Sequence, residues 1–360
     1  MNRCGQANRL RERPGTPGPE ARPPGPRRRR ARRVVAVCCW AYLAAVLGLW
    51  AVLDDADVWW PATMLMYSPR WLLGLPLVVL VPAAALLRRW ALIPLALTLP
   101  LILGPVMGYC VPWSSLFGQA PEGPTFRVLT CNMHYRDRDS FALDRVLAEA
   151  RPDIVALQEW PEPNHSAVLA GKGWHVYRTY HCCVASRFPI TGAVELGSNS
   201  IGPMGATLRC ELDTGVSRAG KVTVFSLHLA SPRDGISRTV RGSELGPEDI
   251  QGMSDLRRAQ SSNISREVAR STGPLLLAGD FNTPPESSIY REFWGGYHDA
   301  FASAGWGWGY TFFGGRTAVR IDHILAGPGW RCRRCWVGPD AGSPHRPVIA
   351  DMTWVGTGTR

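Results

Sequence analysis

Lysine is almost missing from this chain: of 40 cationic side chains, only Lys172 and Lys221 are lysines. Such a bias reads as arginine-rich coding and excludes any lysine cluster as a functional feature. A second shortage is more informative. Residues 113–360 hold 26 Lys and Arg against 24 Asp and Glu, while residues 1–112 hold 14 Arg against 5 acids, so most of the overall +11 lies in the first third. Non-specific nucleic-acid binding rests on clustered cations that neutralise phosphates, and a near-neutral larger part weighs against a duplex-binding nuclease. No internal repeat is present. "CRRC" at 332–335 has a metal-like spacing but lacks the second Cys or His pair of a zinc site, and three residues apart along a strand the two thiols face opposite ways.

Residues 1–33 have few apolar side chains and are rich in Pro, Gly and Arg, which predicts a disordered basic tail. Charge is then absent from three apolar runs, 34–53, 71–87 and 90–111, each close to the roughly 20 residues of a membrane-spanning helix. A cleaved leader fits the first run poorly, since the run is long and more runs follow. The second is short and holds Pro76 and Pro82, which leaves a re-entrant hairpin with the third as the alternative. Arginines precede the first run and separate the second from the third, whereas the loop after the first carries three Asp and one Arg. The positive-inside rule places the tail in the cytoplasm and everything beyond the third span outside. Trp59, Trp60 and Trp113 suit the interfacial belt. Cys38, Cys39 and Cys110 fall in the spans, and Cys131 and Cys210 in strand-like runs, as small buried hydrophobes.

A Pro/Gly/Ser-rich linker at 112–124 reaches at most ~50 Å when extended, which keeps residues 125–355 near the membrane. That region alternates apolar runs with polar ends: "FRVLTCNMHY", "DIVALQEW", "CCVASRFPI", "ATLRCEL", "KVTVFSLHLAS", "PLLLAGDFN", "RIDHILA" and "RPVIADMTW". They read as strands, with helical patterns at 140–151 and 254–271, and predict an α/β (α+β) domain of two packed mixed sheets flanked by helices. The polar stretch after His228 reads as a mobile loop. "GWGWGYTFFGG" at 305–315 clusters five aromatics before "RIDHI", as a flexible lip for bases or lipid or as a core-facing loop.

Asn132, Glu159, His228, Asp280, Asn282 and Asp322 stand at the C-terminal ends of these runs, followed by His345. Strands lying side by side would gather them on one rim. Glu159 with neighbouring oxygens suits Mg²⁺, a hard ion that keeps water and substrate phosphate among its ligands. Asp280 can take a proton from water, and Asn282, on the same strand face if the strand continues, can orient that water. Asp322 beside His345 favours an imidazolium, which stabilises charge on a phosphoryl oxygen, and His228 and Asn132 add phosphate donors.

"CNMH", "LQE", "SRFPI", "SLHL", "GDFN", "IDHI" and "SPHRPV", in this order over about 125–355, resemble the endonuclease/exonuclease/phosphatase (DNase I-like) superfamily. The resemblance implies a four-layer α/β sandwich and metal-dependent phosphoester hydrolysis, with Mg²⁺ or alternatively Mn²⁺. It implies Glu159 as metal ligand, Asn132 as a metal-side and phosphate-side amide, and Asp280 with Asn282 as the pair orienting the nucleophile. His228 is then a phosphate donor, and Asp322 with His345 a dyad. Three spans before an outward-facing domain resemble, more narrowly, the VanJ-type teicoplanin-resistance proteins, which implies a lipid-linked substrate such as undecaprenyl diphosphate. A nuclease or a sphingomyelinase-like phosphodiesterase at the outer face is the alternative, and a non-catalytic binding module the remote one. The chain departs from the family in two places, with Pro344 where an Asp usually precedes the last His, and with His181 and Cys182 in "HCCVASRFPI" near a position that often holds Gly and a small residue.

Overall fold

The computed structural model describes residues 25–118, 120–135, 140–160, 166–198, 205–216, 219–314 and 317–356. Its helices are α1 (Pro26–Asp54), α2 (Trp60–Met66), α3 (Leu75–Leu87), α4 (Leu92–Leu101), α5 (Trp113–Phe117), α6 (Ser140–Ala150), α7 (Arg233–Val240), α8 (Gly246–Ala269) and α9 (Ala300–Ala304). Strands follow as β1 (Thr125–Asn132), β2 (Ile154–Gln158), β3 (His175–Arg178), β4 (Cys182–Ser186), β5 (Ile190–Ser198), β6 (Ala206–Asp213) and β7 (Lys221–His228). The rest are β8 (Leu275–Asp280), β9 (His298–Asp299), β10 (Phe312–Gly314), β11 (Thr317–Val319), β12 (Asp322–Ala326), β13 (Trp330–Val337) and β14 (Val348–Trp354).

Three helical segments are long and apolar enough to cross a membrane: Pro26–Asp54, Arg70–Leu87 and Arg89–Val106. The expected tail is corrected at its end. Residues 1–24 lie outside the described residues, but the arginines from Arg27 to Arg33 are helical, because Pro26 begins α1 and Arg is a good helix former. The third run also ends early. Pro100 and Pro105 remove N–H donors, the helix loosens into a π turn over Ile102–Val106, and Cys110 lies beyond it, bridged to Gly307.

Two six-stranded sheets pack face to face, in the orders β13-β14-β1-β2-β4-β3 and β5-β6-β7-β8-β12-β9. Each has one parallel pair, β1 with β2 and β7 with β8, flanked by antiparallel neighbours. Val128, Ile154, Val184, Leu208, Val224, Leu276, Ile324 and Ala350 fill the layer between them. Helix α6 covers the outer face of the first sheet through Leu143, Val146 and Leu147, and α8 covers the second through Ile264 and Val268. This is the expected sandwich of mixed sheets between helices. A β-bulge between Cys332 and Arg334 corrects the reading of "CRRC". It pairs Cys332 with Met352 and Cys335 with Ala350, two residues apart on β14, so both thiols face the same core and both are free.

The acidic loop between the first two apolar helices is docked on the α/β domain. Asp57, in the loop after α1, is fully buried against Arg257 of α8 at 2.7 Å and also accepts from the Ser254 and Ser287 hydroxyls. Arg70 is buried between the Val106 carbonyl (2.6 Å) and Glu286 (3.3 Å). The acidic loop between the first two apolar helices therefore plugs into the α/β domain. Met66, Tyr67, Val106 and Met107 share one apolar cluster with Val319 and Ile321 of that domain.

Candidate active site

Parallel pairing places the strand ends together. Asn132 lies opposite Gln158, with Glu159 next along the chain, and His228 lies opposite Asp280. Asp322 is a correction in detail: it starts β12 rather than ending a strand, and reaches the rim because β12 runs antiparallel to β8, with Asp322 opposite Asp280. Close contact between β7 and β8 depends on Gly279, where a Cβ would meet the Leu227 carbonyl at 1.9 Å. The chain leaves the strands in left-handed turns at His134 (φ 53°), Glu159 (φ 47°) and Asn282 (φ 47°). Non-glycine residues in that region are held there by their surroundings, and here they cluster at the rim.

All seven expected residues meet at one buried centre. Asn132 Nδ2 donates to Asp280 Oδ2 (2.9 Å) and Glu159 Oε1 (3.2 Å). His228 Nε2 lies 3.3 Å from Glu159 Oε1 and 3.7 Å from Asp280 Oδ2. His345 Nδ1 meets Asp322 Oδ2 at 2.9 Å, and its Nε2 stands 3.9 Å from Asp280 Oδ2. Asn132 Oδ1 accepts from the His134 N–H (2.8 Å) and its Nδ2 faces the two acids. One expectation changes. Strand β8 stops at Asp280, so Asn282 is not on the strand face; a turn brings it to the cavity. There its N–H donates to Asp280 Oδ1 (2.9 Å) and its Nδ2 to the Leu229 carbonyl (2.8 Å).

Electrostatics separate the roles. Burial raises the Glu159 pKa, but the hydrogen bonds from His134 and Asn132 and the charge of the neighbouring imidazoles together outweigh it and leave the carboxyl at about 2; His228 adds to this only while it is protonated. Burial drives His228 down to about 4, so it is neutral at pH 7. Asp280 is pushed up to about 7 by burial and by the Asp322 carboxylate. Burial also opposes charge on His345, yet Asp322 and Asp280 together lift it to about 9. Three acids thus face one imidazolium, and Asp322 Oδ1 is buried with no partner among the described residues. An oxygen-rich centre short of positive charge fits a hard divalent cation. Asp280, Asp322 and His345 also bring one ligand atom each within 4.8 Å of the others.

A cavity of about 630 Å³ opens from this centre. Its lining combines polar residues, His134, Ser231, Arg233 and Arg241, with apolar ones, Ile236, Val240, Phe312, Val319 and Ile321. The stretch expected as a mobile loop holds helix α7 and the first turns of α8, and α7 supplies lining of both kinds. Several contributors escaped the sequence reading. His134 bonds Glu159 at 3.3 Å, and Ser343 ties the His345 loop to the Asn132 carbonyl at 2.6 Å, beside Pro344. Tyr67, from the loop between the spans, lines the cavity as well. His134 stood in the "CNMH" motif and could have been found; Tyr67 carried no local signal.

The model of the Endonuclease/Exonuclease/phosphatase family matches residues 129–345. The chain belongs to this family. Its members are metal-dependent phosphoester hydrolases, and the matched segment contains every residue of the centre from Asn132 to His345. Solved structures similar to the chain include an endonuclease/exonuclease/phosphatase from Beutenbergia cavernae, at 20% identity and TM-score 0.47 over 65% of this chain and 72% of that one. A 3′ phosphatase from Neisseria bound to a product DNA hairpin is 22% identical, with TM-score 0.48 over 64% of this chain and 100% of that one. The human Nocturnin catalytic domain is 16% identical, with TM-score 0.47 over 65% and 96% of the two chains. No curated protein matches the chain.

Proposed function

We propose that the protein is a membrane-anchored phosphohydrolase, dependent on Mg²⁺ with Mn²⁺ as the alternative, that cleaves a lipid-linked diphosphate at the outer face of the cell membrane. Undecaprenyl diphosphate is the first choice, in keeping with the VanJ-like order of spans and domain. The observation that carries this reading is the apolar wall of the cavity. Ile236, Phe312, Val319 and Ile321 pack in the same buried cluster as Val46, Leu53, Met66 and Ile102, so the apolar lining of the cavity is seated directly on the apolar helices. A lipid head group can enter the cavity while its tail stays in the bilayer beside those helices. Nucleic acid has no corresponding use for an apolar wall.

Trp306 and Phe313 are largely exposed on the same loop system, and Trp113 and Phe117 beside the spans, as interfacial aromatics would be. Orientation follows the arginines: the docked acidic loop and the α/β domain lie at one end of the spans, and Arg88 and Arg89 between the second and third. The domain is then outside.

Glu159 would hold the metal ion, which would supply charge neutralisation at the phosphoryl oxygens. The chain's own groups do the rest. Asp280 accepts a proton from water as the water oxygen bonds to phosphorus, and Asn282 holds that water in line. His345, kept protonated by Asp322, donates from Nε2 to the phosphoryl oxygen as charge grows there, and the bridging P–O bond breaks with the lipid phosphate leaving. Neutral His228 and Asn132 Nδ2 are further donors to the phosphoryl group. The test is hydrolysis by the full-length protein in detergent micelles, with and without Mg²⁺, read as phosphate release from geranyl and undecaprenyl diphosphates, as nucleotide release from single- and double-stranded DNA, and as phosphocholine release from sphingomyelin. Faster release from the prenyl diphosphates is expected; faster DNA hydrolysis would replace this reading with a nuclease.

A further inference from the structure

The carbonyl of Asn282 accepts a hydrogen bond of 2.6 Å from the hydroxyl of Tyr67, across 215 positions of sequence. Tyr67 follows α2 in the loop between the first two spans and is buried at the edge of the catalytic cavity. Asn282 sits in a left-handed turn that a non-glycine residue adopts only under constraint. Three bonds supply the constraint: its N–H goes to Asp280, its side-chain amide to Leu229, and its carbonyl receives Tyr67. The first two come from within the α/β domain, and the third comes from the membrane segment.

We infer that Tyr67 is a positioning residue for Asn282, so that the loop between the first two spans completes the active site. The inference rests on the role of Asn282 in orienting water. The loop is well suited to hold a reference position, because the Asp57–Arg257 pair anchors it in the domain on one side of Tyr67 and the Arg70–Glu286 pair on the other. Within the loop, the Asp57 N–H donates to Thr63 Oγ1 at 2.8 Å, which stiffens the arch between the anchors. Burial raises the Tyr67 pKa far above its ordinary value, so the hydroxyl stays a donor throughout the working range. Asp280 benefits indirectly, since Asn282 N–H holds one of its oxygens. Catalytic geometry is therefore set only when the spans and the α/β domain are assembled, which ties hydrolysis to the membrane-embedded protein.

Tyr67→Phe keeps the ring and removes the donor. In full-length protein in detergent micelles, with geranyl diphosphate and Mg²⁺, kcat is expected to fall ~10-fold with KM within about twofold, as a displaced orienting group predicts. Ser288→Ala removes another contact of the same loop, the 2.7 Å bond to the Ala56 carbonyl, without touching Asn282, and should leave kcat within about twofold. Hydrogen exchange provides a readout free of turnover: Tyr67→Phe should lose amide protection over residues 280–284 while Ser288→Ala keeps it. An unchanged kcat in Tyr67→Phe, a change confined to KM, an equal kcat loss in Ser288→Ala, or unaltered exchange at 280–284 each overturns the inference. If wild-type protein turns over none of the prenyl diphosphates, the proposed substrate fails, and the exchange experiment still decides whether Tyr67 holds the turn.

Discussion

Two buried charge clusters, the docking contact of Asp57 with Arg257 and the rim around Asp280, are built on different rules. At the docking contact one acid meets one guanidinium: both oxygens of Asp57 are engaged, by Arg257, Ser254 and Ser287. At the rim three acids face a single imidazolium, Asp280 is pushed up to about 7, and one oxygen of Asp322 has no partner among the described residues. The first cluster pairs its charges within the chain and holds the loop between the first two apolar helices to the α/β domain. The second is unbalanced, and its missing charge must come from what binds there.

The largest expected effects separate the two clusters by kind. Asp57→Ala strands Arg257 without a counter-charge and should cost ~3–5 kcal/mol of stability, read by thermal unfolding in detergent. Asp280→Ala should leave the fold intact and cut turnover at least ~10²-fold. A rim substitution that unfolds the protein, or a docking substitution that affects only turnover, would dissolve the distinction.

Titration sharpens it further. His345, raised from 6.5 to about 9, holds a proton in the folded protein that the unfolded chain gives up. Its stabilisation is fully present below pH 6.5 and is lost as pH rises through about 9. Turnover should show an alkaline limb near the same value. Asp322→Asn removes the main charge that raises it and should move the limb down by about one pH unit or more, while Arg258→Gln at the rim of the docked face should not move it.

How much of this was legible follows from what each signal depends on. Alternation of apolar residues marked β1, β2, β4, β6, β7, β8, β12 and β14 because those strands are covered on one or both faces. Strands β3 and β13 were hidden by exposed charge, and β5 by small and polar residues. Rim residues were readable because they stop apolar runs. Strand direction leaves no such mark, so the sequence places Asp322 at a strand end when it begins β12. Helix α7 was invisible in "RDGISRTV", since its apolar residues are only Ile236 and Val240 and their partner is a cavity wall. Tyr67 lay beyond reach, because only the folded chain brings it to Asn282.

Smaller effects probe the charge deficit itself. Asp280→Asn removes one of the mutually repelling acids and should raise stability by about 1 kcal/mol while abolishing most turnover, the usual exchange at a strained site. Smallest is Pro344→Asp, which adds an acid beside His345, next to the Ser343 tie to β1. It should tighten apparent Mg²⁺ affinity by a few-fold, and an unaltered Mg²⁺ titration would show that Ser343 and Pro344 leave the centre complete.

The central claim, a rim that lacks positive charge until a cation arrives, is tested most directly by thermal unfolding of the full-length protein in EDTA and in increasing Mg²⁺. The account predicts a midpoint that rises with Mg²⁺, by an amount equivalent to ~2–3 kcal/mol at a hundredfold excess over Kd, and a much smaller rise in Glu159→Gln. A midpoint indifferent to Mg²⁺ and to Mn²⁺ in the wild-type protein would contradict it.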